Sequence, residues 1–188
     1  MEQHDKLSKQ VRECADRIAD SGPVALAGLF DLTSQRLVRF AVTITRNQHD
    51  AEDALQAALV RVAGRPQLLS SADRPWPYLL RMVRNEALFI IRNRKRAFSV
   101  ASLCDLITRR SVDEVELEET HRAVWAALRK LPSDQSEVVV LKIWEELTFT
   151  QIAEVLEVSQ STAASRYRYA MTKLLRHFNT QGSEVYHG

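Results

Sequence analysis

Apolar residues recur every three or four positions along most of the chain, and strict apolar–polar alternation is scarce. That period belongs to helices that bury one stripe, and it predicts an all-α fold. Residues 7–20 carry Val11, Cys14, Ala15 and Ile18 on one stripe, and Ser21-Gly22-Pro23 breaks the pattern. A second helix is expected over about 25–46, with Leu26, Phe30, Thr33, Leu37, Phe40 and Ile44 inward. A third, about 50–63, sets Ala51, Ala54, Leu55, Ala58, Leu59 and Val62 inward. Glu52, Asp53 and Gln56 then face outward, with Asp50 as candidate N-cap. Gly64-Arg65-Pro66 ends that helix, and the loop SSADRP follows at 70–75. The next helix, WPYLLRMVRNEALFIIRNRKR over 76–96, opens with Asp73 as candidate N-cap and with Pro75 and Pro77 in its first turn. Its inward side is Trp76, Leu80, Val83, Ala87, Ile90 and Ile91; Arg81, Arg84, Asn85 and Arg92 fall largely on the other.

The pattern changes over 98–119, which holds six acids (Asp105, Asp113, Glu114, Glu116, Glu118, Glu119) against Arg109 and Arg110. This reads as an acidic linker, 98–118, between two small helical domains, 1–97 and 119–178, with a disordered tail at 179–188. In the second domain one helix ends at Leu131-Pro132 and another covers about 134–146. Thr148-x-x-Gln151 has the form of a capping box opening a third, about 149–156. After the turn Glu157-Val158-Ser159, with Ser159 as N-cap, a last helix covers about 160–178.

Composition narrows this only slightly. At 188 residues and 45% hydrophobic content the chain can build cores without disulfide or metal staples. The two cysteines, Cys14 and Cys104, form no C-x-x-C pair, and the five histidines show no ligand spacing. No metal or other cofactor is expected, and a reducing, cytoplasmic setting fits best. No apolar run approaches the ~20 residues of a membrane helix, so no membrane insertion is expected. The charged N-terminus, MEQHDKLSKQ, does not read as a signal peptide. There are no P-loop glycines and no catalytic signature, so the reading is of a protein that is not an enzyme, with no catalytic residues.

The net charge of +2 conceals a strong local asymmetry. Residues 76–96 hold six bases (Arg81, Arg84, Arg92, Arg94, Lys95, Arg96) against Glu86. The helix dipole explains cations at the C-terminus, but not Arg81 and Arg84 in the first half. A basic face running the helix length suits a polyanion. Trp76 and Tyr78, beside the Ser-containing loop, could stack on unpaired bases; a core role for Trp76 is equally open. The second basic surface follows Glu157, where Arg166, Arg168, Lys173 and Arg176 have no acid among them up to residue 178. A short helix, a tight turn and a longer basic helix make a helix-turn-helix, with Gln160, Ser161, Thr162 and Arg166 near base edges. Two helices joined by a short turn also occur in any α-bundle.

Three stretches, taken together, resemble the extracytoplasmic-function sigma factors of bacterial RNA polymerase. DAEDALQAAL (50–59) is similar to the family's D-A-E-D-x-x-Q signature. RPWPYLLRMVRNEALFIIRNRKR (74–96) resembles its minus-ten segment, and residues 131–175 its minus-thirty-five module. The resemblance implies a protein that binds core polymerase, through its β′ and β subunits, and directs promoter recognition and melting. It assigns Asp50, Glu52, Asp53 and Gln56 to the polymerase. Trp76, Tyr78, Arg81, Arg84, Asn85, Arg92, Arg94, Lys95 and Arg96 go to the minus-ten DNA, with a flipped base held by 70–76 and Asn85. Gln160, Ser161, Thr162, Ser165, Arg166 and Arg168 go to the minus-thirty-five DNA. An anti-sigma protein is a common further partner of the class.

The family's usual glycine in the helix-turn-helix is Glu157 here, and another corresponds roughly to Glu146. A left-handed backbone at Glu157 would cost about 1–2 kcal/mol. Ala164 stands where a DNA-facing lysine is usual, and Val62-Ala63-Gly64 where a tryptophan is common. Two other functions remain open at this point. One is a polymerase-independent helix-turn-helix regulator, which has no use for Asp53 and Gln56. The other is a degenerate sigma-like adaptor that does not bind DNA, against which the basic run 81–96 argues.

Overall fold

The computed structural model describes residues 2–100 and 119–184, with side chains over 5–94 and 123–179. Regular structure within them is helical throughout, and the helices gather into two compact units, each with its own core.

The first unit comprises α1 (Glu2–Ser21), a 3-10 turn (Gly22–Ala25), α2 (Leu26–Thr45), α3 (Gln48–Gly64), the single turn α4 (Gln67–Ser70) and α5 (Pro75–Val100). α2, α3 and α5 pack against one another, and α1 lies against α2, α4 and α5. The α3 stripe is inward as expected: Ala51, Ala54, Leu55, Ala58, Leu59 and Val62 are all buried. Its alanines leave room for Leu37 and Phe40 of α2 and for Trp76, Leu79, Leu80 and Val83 of α5, all buried in the same core. Each such large apolar side chain contributes about 1.5–3 kcal/mol by leaving water. Leu7, Val11, Cys14, Ala15 and Ile18 bury the α1 stripe.

Several local expectations are corrected. Phe30 is 45% exposed and Leu29 is buried in its place. Both stand at helical spacing from Thr33, three and four residues back, so periodicity alone could not choose between them. Asn47, not Asp50, caps α3: its side chain accepts the Asp50 backbone N–H at 2.9 Å. Asp50 therefore sits in the first turn, where its charge suits the dipole. The first helical bond of α5 runs from the Tyr78 N–H to the Arg74 carbonyl, 3.1 Å. That places Arg74, not Asp73, at the N-cap, with Pro75 at the first helical position, where a missing N–H costs nothing. α5 continues to Val100, three residues past the expected domain edge. The rest of the expected linker, 101–118, with Cys104, lies outside the described residues.

The second unit comprises α6 (Glu119–Lys130), α7 (Ser133–Ile143), α8 (Phe149–Leu156) and α9 (Gln160–Glu184). α9 packs on the other three. Val138, Val140, Leu141, Leu147, Ile152, Val155 and Ala163 are fully buried. α7 stops at Ile143, earlier than expected, because the chain turns through Glu146 at φ 52°. The capping box of α8 is present: Gln151 accepts the Thr148 N–H at 2.8 Å, and Thr148 Oγ1 accepts the Gln151 N–H at 3.3 Å. α8 ends at Glu157, whose backbone is left-handed at φ 55°, ψ 46°. Ser159 caps α9, its Oγ accepting the Thr162 N–H at 3.1 Å. α9 extends to Glu184, so 179–184 are helical rather than a disordered tail; residues 185–188 lie outside the described residues.

Candidate polymerase and nucleic-acid interfaces

α3 offers one face. Asp53 and Gln56 are exposed, and Val60, 70% exposed, lies a turn further on. At 100° per residue the three fall within about 60° of arc. The other two α3 candidates are engaged within the unit. Glu52 accepts a bond from Gln48 Nε2 at 2.8 Å. Asp50 pairs with Arg94 of α5 at 2.9 Å, which joins a residue assigned to the polymerase with one assigned to DNA. Further along, Arg61 reaches Glu86 at 2.8 Å. The single acid of the basic helix is therefore buried in an internal ion pair and takes little from the positive surface.

α5 offers the second face. Tyr78, Arg81, Asn85 and Arg92 share about 60° of arc. Asn85 and Arg92 are exposed, and Tyr78, Arg81 and Arg84 are half-buried. The Arg81 guanidinium lies 4.9 Å from the Tyr78 ring centroid, which pre-orders both side chains. Trp76 departs from this set. It is completely buried, so the aromatic assigned to DNA stacking is a core side chain. Its position four residues before Leu80 allows this, and the packing of α5 against α2 and α3 decides it. Its indole Nε1 has no hydrogen-bond partner among the described residues. Lys95 and Arg96 belong to α5 by backbone, but their side chains lie outside the described residues.

Between α4 and α5 the loop leaves Ser71, Asp73 and Arg74 exposed. Its backbone is held from α1. Arg12 donates from Nη1 to the Ser70 carbonyl (2.8 Å), and from Nη2 to those of Ala72 (2.6 Å) and Asp73 (2.8 Å). Nothing local in the sequence marks Arg12, because its acceptors lie 58 to 61 residues away.

The third face is the start of α9. Ser161, Ser165 and Arg168 follow one another at helical spacing, with Thr162 and Arg166 alongside. Gln160, Ser161 and Arg168 are exposed; Thr162, Ser165 and Arg166 are half-buried. Ser159 Oγ lies 2.8 Å from both Ser161 Oγ and Thr162 Oγ1, so these hydroxyls form one network at the helix start. Arg166 Nε is 3.3 Å from Asp134 of α7. No group of residues among those described could hold a metal ion, and no described helix is long and apolar enough to cross a membrane.

Two family models match the chain: Sigma-70 region 2 over residues 29–97, and Sigma-70, region 4 over 121–174. The first covers most of α2 to α5, the second α6 to α9. The RNA polymerase sigma factor CarQ of Myxococcus xanthus is 28% identical over 160 residues, 85% of this chain and 92% of CarQ. The ECF RNA polymerase sigma factor SigM of Mycobacterium tuberculosis is 33% identical over 151 residues, 79% of this chain and 74% of SigM. Among solved structures, the sigma factor RpoE in complex with the anti-sigma factor NepR from Bartonella quintana superposes with a TM-score of 0.64 at 20% identity. The match covers 80% of this chain and 94% of RpoE.

The chain belongs to the extracytoplasmic-function class of RNA polymerase sigma factors. Sigma factors are transcription-initiation factors without an enzymatic activity of their own, so this protein is DNA-binding in class and not an enzyme.

Proposed function

We propose that the protein binds bacterial core RNA polymerase through the outward face of α3 and opens promoter DNA with α5. Asp53 and Gln56 make the primary contact, with the β′ coiled coil, and Asp50 and Glu52 flank it; the β subunit completes the polymerase surface. The 70–74 loop and Asn85 take a flipped base of the minus-ten element. Tyr78, Arg81, Arg84, Arg92 and the basic end of α5 hold the adjoining single strand. In the second unit α8, the turn at 157–159 and α9 act as a helix-turn-helix on the minus-thirty-five element. Gln160, Ser161, Thr162, Ser165, Arg166 and Arg168 line its DNA face. Arg166 exchanges Asp134 for phosphate or base on binding, a cheap exchange because the ion pair is solvent-facing. The protein works in the cytoplasm, with its polymerase. An inhibitory anti-sigma protein belongs to this reading because the RpoE structure was solved with one.

The supporting observation is that a single unit presents an acidic, partly apolar face on α3 and a basic, tyrosine-bearing face on α5. A regulator acting through α8 and α9 alone needs neither. The experiment is co-elution with bacterial core polymerase on a sizing column in moderate salt. The wild type is expected to form a stoichiometric complex, and Asp53→Arg to lose it with unchanged helical content. A complex retained by Asp53→Arg removes α3 from the interface.

A further inference from the structure

We infer that Arg12 is a positioning residue for promoter opening: from α1 it holds the base-capturing loop in its working shape. This rests on the assignment of the 70–74 loop to the minus-ten base. The N-terminal helix lies outside the residues matched to region 2, which begin at 29. Its place in the fold is nevertheless secure, because Val11, Ala15 and Ile18 are fully buried. Arg12 stands beside Val11 on the edge of that stripe, half-buried, and is aimed at the loop.

The contact is made by one planar fork with three acceptors. Ser70 O, the last carbonyl of α4, would otherwise be one of the orphan acceptors of a helix end. Ala72 O and Asp73 O belong to loop backbone beyond the last turn. At its start the loop is tied by Ser71 N–H to Gln67 O at 3.0 Å, Ala72 N–H to Leu69 O at 3.3 Å and the Ser71 hydroxyl to Gln67 O, and at its end the Arg74 carbonyl accepts the Tyr78 N–H at 3.1 Å. Arg12 holds the carbonyls of the stretch between. With three carbonyls drawn toward α1, the Ser71, Asp73 and Arg74 side chains are left exposed. A loop fixed before it meets the base need not be ordered during capture, and that preorganisation favours the correctly shaped ligand. A lysine keeps the charge but cannot span three carbonyls with a rigid fork.

The test uses holoenzyme reconstituted from the full chain and bacterial core polymerase. Promoters are selected from a randomised duplex library, and opening is then measured for each base at each minus-ten position. Four proteins are compared: wild type, Arg12→Lys, Arg12→Ala, and the loop variant Ser71→Ala with Asp73→Ala. Arg12→Ala is expected to lower base preference at the captured position about fivefold, the loss that accompanies roughly one hydrogen bond's worth of ordering. Preference at the minus-thirty-five element and affinity for core polymerase should stay unchanged, and Arg12→Lys should recover part of the loss. If the loop variant loses preference while both Arg12 variants match wild type, the positioning role is overturned and the loop assignment stands. If the loop variant itself matches wild type, the loop does not read the base and the inference falls with that assignment. Uniform loss at both elements would also overturn it, by showing a general effect on folding. Arg12→Lys carries the comparison if Arg12→Ala does not fold.

Discussion

Replacing Glu157 with glycine should stabilise the second unit. The residue lies at φ 55°, ψ 46°, close to the ideal left-handed helix. For an L-residue that conformation sets Cβ against the following carbonyl, at about 1–2 kcal/mol. Glycine removes this but gains freedom in the unfolded chain, worth about 0.4–1 kcal/mol the other way. The exposed carboxylate is disfavoured at the end of α8 and favoured just before α9, so its dipole terms oppose and the backbone term decides. A net gain of about 0.5–1 kcal/mol follows. The turn itself should survive, because its closing bonds are backbone to backbone: the Glu157 and Val158 N–H groups both reach the Ala153 carbonyl, the latter at 3.1 Å. At the scale of a small domain, 1 kcal/mol raises Tm by about 4–8 °C. The assay is thermal unfolding of the full chain by far-UV circular dichroism, with Glu157→Ala as the control that removes the charge and keeps Cβ. Glu146, at φ 52°, offers an independent repeat. A glycine variant no more stable than the alanine variant would falsify the strain argument.

Two further outcomes test the reading of individual side chains. Trp76→Phe exchanges some packing for removal of an unpartnered buried N–H, so stability should move by less than about 1 kcal/mol. Promoter opening should be unchanged; a loss of opening in the folded variant would return Trp76 to the DNA surface. Thr148→Ala opens the capping box of α8 and should cost about 1 kcal/mol, read as a lower denaturant midpoint at constant m-value.

What the sequence alone decided was much of what depends on neighbours within a turn or two, although the caps of α3 and α5 fell on Asn47 and Arg74 rather than on the nearby aspartates. The 3.6-residue period disclosed the all-α class and the complete inward stripe of α3. Caps built from adjacent residues, Thr148 with Gln151 and Ser159 with Thr162, were legible because donor and acceptor are three residues apart. The left-handed backbone at Glu157 was raised only through the family resemblance, because Glu157 stands where the family usually has glycine. The motif order carried the family. What only tertiary structure decided was every choice between locally equivalent options. Leu29 and Phe30 both fit the α2 period, and packing chose Leu29. Trp76 fitted both a core and a stacking platform, and the close packing of α2, α3 and α5 took it inward. Asp50 and Arg94 read as members of two separate surfaces until the fold brought their side chains to 2.9 Å. Arg12 had no visible role, since no local pattern can name acceptors some sixty residues away. Backbone periodicity is a property of the chain, whereas the partner of a long charged side chain is a property of the packed fold.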